Sequence, residues 1–292
     1  MKKKDVRAVL GKILFVIALF VVLAGVLVPY FWMVSGSFKT TLEIQSADVL
    51  RPELSPRWIP RKFTWENYLR VNRTVRMLDY FRNSLIISVG TMLLSVGISL
   101  FAAYALSRFT FRWKNVYTLV TLSTQMFPGI SFLIPYFMMF VLVRYYLKIP
   151  MQNTYWGMIF TYTSFALPFS ILMLRNFLDS IPQEIDEQAQ IDGCTPAGAL
   201  WRIVLPLAKP GIAAVGIYSF IMAWNEVLFA TVLTGRETKT VALGLLEYIT
   251  AQQARWAGMM AACIIVSLPV LVLFSLMQRY IIEGLVAGAT KG

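Results

Sequence analysis

The segment EIDEQAQIDGCTPAGALWRIVLPLAKP occupies residues 184–210 and separates two long apolar blocks of the chain. Its first half is acidic and ends at Gly193, whose missing side chain permits the left-handed conformation that ends many helices. Its second half opens with Thr195-Pro196, where threonine can cap a helix and proline fits the first helical position. The pattern predicts two short helices in a polar connection, residues 179–210, that leads into the next apolar block.

The first of these helices has a predicted start and a predicted narrow stripe. Ser180 can cap its N-terminus, and the acidic residues that follow lie where the helix dipole favours negative charge. Small or apolar residues recur every three or four positions, so they are expected on one side of the helix. The stripe consists of Ile181, Ile185, Ala189 and, at its end, Asp192. A solvated surface loop and a docking knob for a cytoplasmic partner are both compatible with this pattern.

Outward from this connection, six apolar blocks of 22 to 29 residues dominate the chain. Each block exceeds the ~20 residues that cross ~30 Å of hydrocarbon as an α-helix. Hydrophobic residues fill 58% of the 292 positions and charged residues 14%, a balance that argues against a water-soluble domain. The sequence therefore predicts an all-α membrane protein with six transmembrane helices. The predicted spans are residues 13–34, 83–106, 115–143, 149–174, 211–234 and 256–278.

The segments outside the spans predict the orientation of the chain. A basic leader, residues 1–12, precedes an uncharged run with no Ala-x-Ala site behind it, which favours an uncleaved anchor over a secretory signal. Basic residues in this leader and in the short loop after the second block place the N-terminus in the cytoplasm. Six crossings then put the polar tail, residues 283–292, in the cytoplasm and the hydrophilic segment, residues 35–82, outside. The core domain is predicted to be residues 83–282.

Prolines predict bends in three of the spans, because a proline inside a helix removes a backbone hydrogen bond. In the third span these are Pro128, which precedes Gly129, and Pro135. Pro168 lies in the fourth span and Pro269 in the sixth. Plain kinks and helices that border a wet cavity are equally compatible with these positions.

The composition excludes several kinds of chemistry. No histidine occurs, which removes Ser-His-Asp catalysis and histidine-ligated zinc. The two cysteines are far apart, so no disulfide framework or four-thiolate metal site is expected. No GxxxxGK[ST] string occurs, and the chain is expected to bind no nucleotide, metal or other cofactor itself. The net charge of +12 is spread through loops, which favours contact with membrane lipids over nucleic acid.

Residues 184–210 resemble the signature loop of permease subunits in binding-protein-dependent ABC importers. That pattern is Glu-Ala-Ala, three residues, Gly, nine residues and Ile-x-Leu-Pro. The matching positions are Glu187, Ala189, Gly193, Ile203, Leu205 and Pro206. Gln188 stands where the family usually has alanine. Five further strings resemble the carbohydrate-uptake branch, and the last of them the second permease of that branch, the maltose-G type. They are FTWENYLR, RNSLIIS, AYALSRFTF, WNEVLFATVLT and the ending QRYIIEGLVAGATKG.

The resemblance implies the type I importer permease fold, a multi-pass protein of the inner (cytoplasmic) cell membrane, and transport without enzymatic activity. Residues 179–210 would be the coupling loop that docks on an ATPase. Its implied contact residues are Glu184, Glu187, Ala189, Asp192, Gly193, Ile203, Leu205 and Pro206. The implied partners are a second, different permease, two copies of an ABC ATPase that hold ATP and magnesium, and an extracytoplasmic sugar-binding protein. The implied cargo is a sugar, an oligosaccharide or a polyol-type compound such as a glycerol phosphate, and most simply a disaccharide or oligosaccharide.

The fifth span carries Glu226, which is the only acidic residue in the six apolar blocks and would be costly against lipid. Together with Tyr218, Trp224 and Asn225 it can line a sugar pathway, because aromatic and amide groups stack on and hydrogen-bond to hydroxyl-rich molecules. The favoured alternative is an interface anchor, with Trp224 at headgroup level and Glu226 bonded to a neighbouring helix.

The alternative function is a self-contained six-helix secondary transporter or channel. A proton-coupled carrier is expected to place several titratable groups in its spans, and here there is one.

The polar tail, residues 283–292, has two possible states: it either frays or reaches the ATPase pair.

Overall fold

The computed structural model describes residues 3–45, 57–249 and 255–289, and no β-strand occurs within these ranges. Parts of the predicted leader, hydrophilic segment and tail lie outside the described residues. The α-helices in chain order are α1 Lys3–Ser37, α2 Thr41–Gln45, α3 Glu66–Thr74, α4 Met77–Arg108, α5 Lys114–Thr124, α6 Leu133–Leu147, α7 Tyr155–Asp179, α8 Glu184–Ile191, α9 Pro196–Ala199, α10 Leu205–Leu207, α11 Lys209–Trp224, α12 Leu228–Leu233, α13 Val241–Leu246 and α14 Trp256–Ala289. A 3₁₀ turn, Gly129–Phe132, precedes α6, and a π-helix, Leu200–Val204, follows α9.

Five helices in the described part of the chain are long and apolar enough to cross a membrane. They are Leu10–Ser37, Met77–Arg108, Gly129–Leu147, Tyr155–Asp179 and Trp256–Tyr280. A sixth crossing is present if Pro196–Leu207 and Lys209–Trp224, which meet at 76°, count as one broken span. These helices agree with the predicted all-α, multi-pass membrane protein.

The predicted third span, residues 115–143, is not one continuous helix. It consists of α5, an irregular stretch, the 3₁₀ turn and α6. The interruption coincides with Pro128 and Gly129, where the sequence predicts a bend. Pro168 and Pro269, in contrast, lie inside the unbroken helices α7 and α14.

The predicted fifth span, residues 211–234, is interrupted as well. Helix α11 ends at Trp224, and α12 begins at Leu228. The three residues between them are Asn225, Glu226 and Val227. The sequence contains no glycine or proline at this break, so its cause lies in side-chain contacts, which are described below.

Two compact units make up the chain, and the first comprises Met1–Met77 with Leu245–Ser267. Its longest helix, α1, exposes nearly all of its large apolar side chains between residues 10 and 31. After α1, aromatic rings pack around Phe38 with centroids 4.4 to 5.3 Å away; they belong to Phe63, Trp65 and Tyr68. The Asn67 amide donates to the carbonyl oxygens of Ser37 and Lys39 at 2.8 and 2.7 Å, which fixes the turn that follows α1.

The second unit comprises Leu78–Gly244 with Leu268–Gly292. Helices α7 and α11 pack along each other in this unit. At the start of α7, a Cβ on Gly157 would lie 2.0 Å from the carbonyl oxygen of Met151, so only glycine fits there. One apolar cluster includes Ile87, Tyr162, Ala223 and Phe229, and another includes Leu174, Leu178, Leu200 and Val204. The second cluster lies beneath the polar connection that the sequence singles out.

Candidate functional site

The polar connection begins with a turn rather than with the predicted serine cap. Helix α7 continues to Asp179, and Ser180 follows it as the C-cap residue, with its Oγ donating to the carbonyl oxygen of Phe177 at 2.6 Å. Helix α8 is preceded by Gln183, and no side chain caps it. The prediction that Ser180 caps α8 is therefore wrong, because the preceding helix extends further than expected.

The end of α8 and the start of α9 are built as the sequence predicts. Gly193 has a φ of +88°, the left-handed conformation expected at the end of a helix. The Cys194 N–H donates to the Ala189 carbonyl oxygen at 2.9 Å and closes this turn. Thr195 Oγ1 then accepts the Gly198 N–H at 3.1 Å, which confirms the second predicted cap.

The second predicted helix is less regular than expected. Helix α9 passes directly into the π-helix Leu200–Val204 and then into α10. Lys209 begins α11, and the direction changes by 76° between the two parts. This bend turns the polar connection into the fifth membrane helix.

The predicted contact residues divide into exposed, half-buried and buried groups. Those exposed to solvent are Glu184, Glu187, Asp192, Gly193 and Pro206. Ile203 and Leu205 are half-buried, whereas Ala189 is buried against the chain's own helices. Next to the exposed acids on α8 lies Ile191, which is 83% exposed. One side of α8 is thus an acidic surface with an apolar residue at its end.

The buried side of α8 follows the predicted stripe in part. Ile181 and Ala189 are buried and Ile185 is half-buried, as expected for one face of a helix. Asp192, which the stripe included, is exposed instead. The acidic residue that does point inward is Asp186, which is buried.

Asp186 forms an ion pair that the sequence interpretation missed. Its Oδ2 lies 2.6 Å from Nε of Arg108, the last residue of α4. In the sequence, Arg108 is one of the basic loop residues that predict the orientation of the chain. Asp186 is one of the acidic residues that the helix dipole favours. A signal was present, because Asp186 precedes the buried Ala189 by three positions and so lies on the same side of α8.

The break in the fifth span is organised by Glu226. Its carboxylate accepts the N–H groups of Phe229 and Ala230 at 3.0 and 3.1 Å, which satisfies the first amides of α12. It also accepts the hydroxyl of Tyr162, on α7, at 2.8 Å. Both carboxylate oxygens are therefore used within the chain, as expected if Glu226 bonds to a neighbouring helix. The predicted position of Trp224 at headgroup level is wrong, because its side chain is buried among other aromatic rings.

The other predicted pathway residues do not lie together. Trp224 is 2% exposed and stacks on Phe220 with ring centroids 5.4 Å apart. Asn225 is exposed. Tyr218 lies on α11 and borders a cavity of about 380 Å³ that Trp224, Asn225 and Glu226 do not line.

This cavity lies where the interruption of the third span meets α7 and α11. Its polar lining groups include Thr124, Gln125 and a hydroxyl pair in which Tyr136 and Ser164 hydrogen-bond to each other. The remaining lining is aromatic or apolar: Phe127, Gly129, Phe132, Phe165, Pro168 and Met222. Aromatic faces beside hydroxyl and amide groups suit a hydroxyl-rich ring.

The first unit carries a separate pocket of about 300 Å³. It is lined by Thr41, Asn67, Arg70, Val71, Tyr248, Arg255 and Gly258. The buried hydroxyl of Tyr248 donates to the Val71 carbonyl oxygen at 3.2 Å, and burial raises the pKa of Tyr248 to about 12.

A buried cation lies in the same unit. The Lys39 Nζ lies 4.0 Å from the centre of the Trp32 ring and donates to the carbonyl oxygen of Arg57. Burial lowers the pKa of Lys39, and the negative charge of Glu43 opposes that shift.

Comparison with known proteins assigns the fold and the connection to a transport family. The family described as "Binding-protein-dependent transport system inner membrane component" matches residues 95–286, which include the whole of the polar connection. The chain belongs to this family, and it is a multi-pass inner-membrane transport subunit.

Relatives of full length support the same assignment. The chain is 32% identical over 287 residues to the diacetylchitobiose uptake system permease protein DasC of Streptomyces coelicolor, covering 98% of this chain and 99% of that protein. It is 33% identical over 288 residues to the trehalose/maltose transport system permease protein MalG of Thermococcus litoralis, covering 97% and 98%. A chain of a bacterial ABC transporter that imports the polysaccharide alginate has the same fold, with a TM-score of 0.76, 21% identity and coverage of 96% and 98%.

Proposed function

We propose that this chain is one of two different permease subunits of an ATP-driven sugar importer and forms half of its membrane pathway. The observation that carries the proposal is α8, an exposed acidic helix between two membrane helices in a chain whose relatives are named for uptake of diacetylchitobiose and of trehalose or maltose. A disaccharide or oligosaccharide is the cargo class that these relatives support.

The exposed side of α8 would dock on an ABC ATPase, of which the complete importer holds two copies. ATP and magnesium would bind to those subunits and not to this chain. Glu184, Glu187 and Asp192 offer negative charge, and Ile191 offers an apolar contact. In this proposal α8, both termini and the tail would lie on the cytoplasmic side.

The cavity beside Tyr218 is our candidate for the part of the sugar pathway that this chain contributes. It lies at the interruption of the third span, where backbone groups can border water. The first unit, with its arginine-lined pocket, would then face the extracytoplasmic sugar-binding protein.

The test is uptake by lipid vesicles that hold the complete set of subunits. Maltose, trehalose and diacetylchitobiose are supplied with the binding protein outside and ATP inside. We expect uptake of at least one sugar that requires this chain, ATP and the binding protein together. Uptake by this chain alone, without ATP, would mean a self-contained transporter or channel.

The docking surface has its own test in the same vesicles. Glu187→Arg reverses a charge on the exposed side of α8, and Gly193→Val places a branched side chain at a φ of +88°. Both variants should lose transport while the partner subunits still hydrolyse ATP. Glu237→Arg, which changes an exposed acid outside this surface, is the matched control.

A further inference from the structure

A buried ion pair joins α8 to the end of a membrane helix. Arg108 is the last residue of α4, and Asp186 lies in the first turn of α8. Nε of Arg108 is 2.6 Å from Oδ2 of Asp186, and each side chain is only 6% exposed. The helix with the exposed acidic surface is therefore attached to a span through two charges that are both removed from water.

Two further contacts tie this junction to α7, and a third ties the start of α8 to α4. Arg108 Nη1 donates to the carbonyl oxygen of Leu178 at 3.2 Å. Ser107 Oγ donates to Asp179 Oδ1 at 2.6 Å, and Gln183 Nε2 donates to the Ser107 carbonyl oxygen at 3.4 Å. The end of α4, the end of α7 and the start of α8 thus form one hydrogen-bonded unit.

Stability alone is a poor explanation for this pair. Desolvation offsets most of the attraction within a buried ion pair, and apolar side chains often replace one without loss. Here Arg108 Nε and Nη2 and both carboxylate oxygens of Asp186 are buried with no hydrogen-bond partner among the described residues, so the ion pair does not fully recover the cost of desolvation. What an ion pair adds over an apolar contact is one specific partner of opposite charge.

The attachment and the exposed surface use different sides of α8. Asp186 and Ala189 are buried, whereas Glu187 and Ile191 are exposed. A force applied to the exposed side would therefore reach α4 through Asp186. Without that contact, α8 could shift on its underlying apolar cluster before the span moved.

We propose that Arg108 and Asp186 are positioning residues that hold α8 in a fixed place on α4, so that movement of the ATPase is passed to the membrane helix. This inference rests on the proposed function, because it takes α8 as the helix that docks on the ATPase. Neither residue belongs to the set of contact residues that the signature loop implies.

The experiment uses the complete importer in lipid. Arg108→Gln and Asp186→Asn each remove one charge, and Arg108→Met combined with Asp186→Leu removes both. Arg112→Gln removes an exposed arginine of the adjoining loop and is the matched control. The measurements are amide hydrogen exchange of residues 184–191 and the number of sugar molecules imported per ATP hydrolysed, with the sugar from the panel above that is taken up.

In each single variant, the α8 amides should exchange with solvent at least tenfold faster. The amount of sugar imported per ATP should fall at least fivefold, while the rate of ATP hydrolysis stays within twofold of that of the unmodified importer. The double variant should assemble, because it leaves no buried charge unpaired, but it lacks the specific partner, so its ratio should stay at least twofold low. Arg112→Gln should change neither. A purely structural role would lower the yield of assembled importer and leave the ratio of import to hydrolysis unchanged.

Unchanged exchange and an unchanged ratio in both single variants would overturn the proposal. If the single variants do not assemble, the double variant decides: a ratio at least twofold low supports positioning, and an unchanged ratio overturns it. Glu187→Arg distinguishes a failure of the positioning role from a failure of the docking function. If Glu187→Arg uncouples import and Arg108→Gln does not, only the positioning role fails, whereas normal import by Glu187→Arg means that the docking function itself fails.

Discussion

Replacement of Glu226 tests whether its carboxylate stabilises the structure or contacts the transported sugar. Glu226→Ala removes the acceptor of two α12 amides and of the Tyr162 hydroxyl. Loss of a side chain that caps a helix costs ~1 kcal/mol, and a buried hydroxyl left without its partner costs ~1–3 kcal/mol. Since the Tyr162 side chain is fully buried, we expect an unfolding free energy about 2–4 kcal/mol lower.

A double-mutant cycle assigns that loss to particular contacts. Tyr162→Phe deletes the donor and leaves the two amide contacts of Glu226 intact. The coupling energy between Glu226→Ala and Tyr162→Phe should be ~1–2 kcal/mol, because the two side chains share one hydrogen bond. Denaturation of the purified importer in detergent supplies the free energies, and Glu237→Ala, at an exposed acid, is the control that should change little.

Transport per folded importer is the decisive measurement. Both oxygens of Glu226 already accept bonds from this chain, so Glu226→Gln and Tyr162→Phe should import sugar within twofold of the unmodified protein once corrected for folded yield. A tenfold loss of import with unchanged stability would refute this reasoning and place Glu226 in the sugar pathway.

Three further substitutions test other parts of the structure. Gly157→Ala should lower the unfolding free energy by about 3 kcal/mol or more, because the new Cβ would meet a backbone oxygen at 2.0 Å, whereas Gly97→Ala has open space and should be nearly neutral in thermal unfolding. Tyr218→Ala should raise the KM for sugar uptake severalfold without changing folded yield, and normal kinetics would remove the cavity from the pathway. Because the pKa of Lys39 is lowered in the folded state, the unfolded state binds more protons between that pKa and 10.5, and the unfolding free energy rises with pH in this window. Lys39→Met should abolish this pH dependence in denaturation curves. Lys62→Met, at an exposed lysine, should leave it unchanged.

The helical membrane class could be predicted because uncharged apolar blocks of this length are typical of transmembrane helices. The interruptions within two of these blocks differ in how far the sequence predicts them. At Pro128 and Gly129 the interruption has a local signal, and the sequence predicts a bend there. At Asn225 to Val227 no glycine or proline marks it. The Glu226 carboxylate binds α12 amides only three and four residues away, but it also accepts a hydrogen bond from a tyrosine of α7. Contacts of that kind depend on tertiary packing that periodicity does not report.

The polar connection shows the same division. Gly193 and Thr195 act within a few residues of themselves, and their predicted roles at the helix ends are confirmed. Ser180 failed as a cap because its use depended on where the preceding helix ended. The pairing of Arg108 with Asp186 links residues far apart in the chain, and neither charge is unusual in its own neighbourhood.

Adjacent acids on α8 show why charge alone could not identify the site. Asp186 and Glu187 both count as favourable charges near a helix N-terminus, yet one is buried against Arg108 and the other is exposed. Rotation by one residue, about 100° around an α-helix, is enough to separate attachment from docking. A helix that is attached on one side and recognised on the other therefore needs its acidic residues on different sides. The predicted stripe through Ala189 assigned the inward position to Asp192, whereas Asp186, three residues before Ala189, is the acid that turns inward.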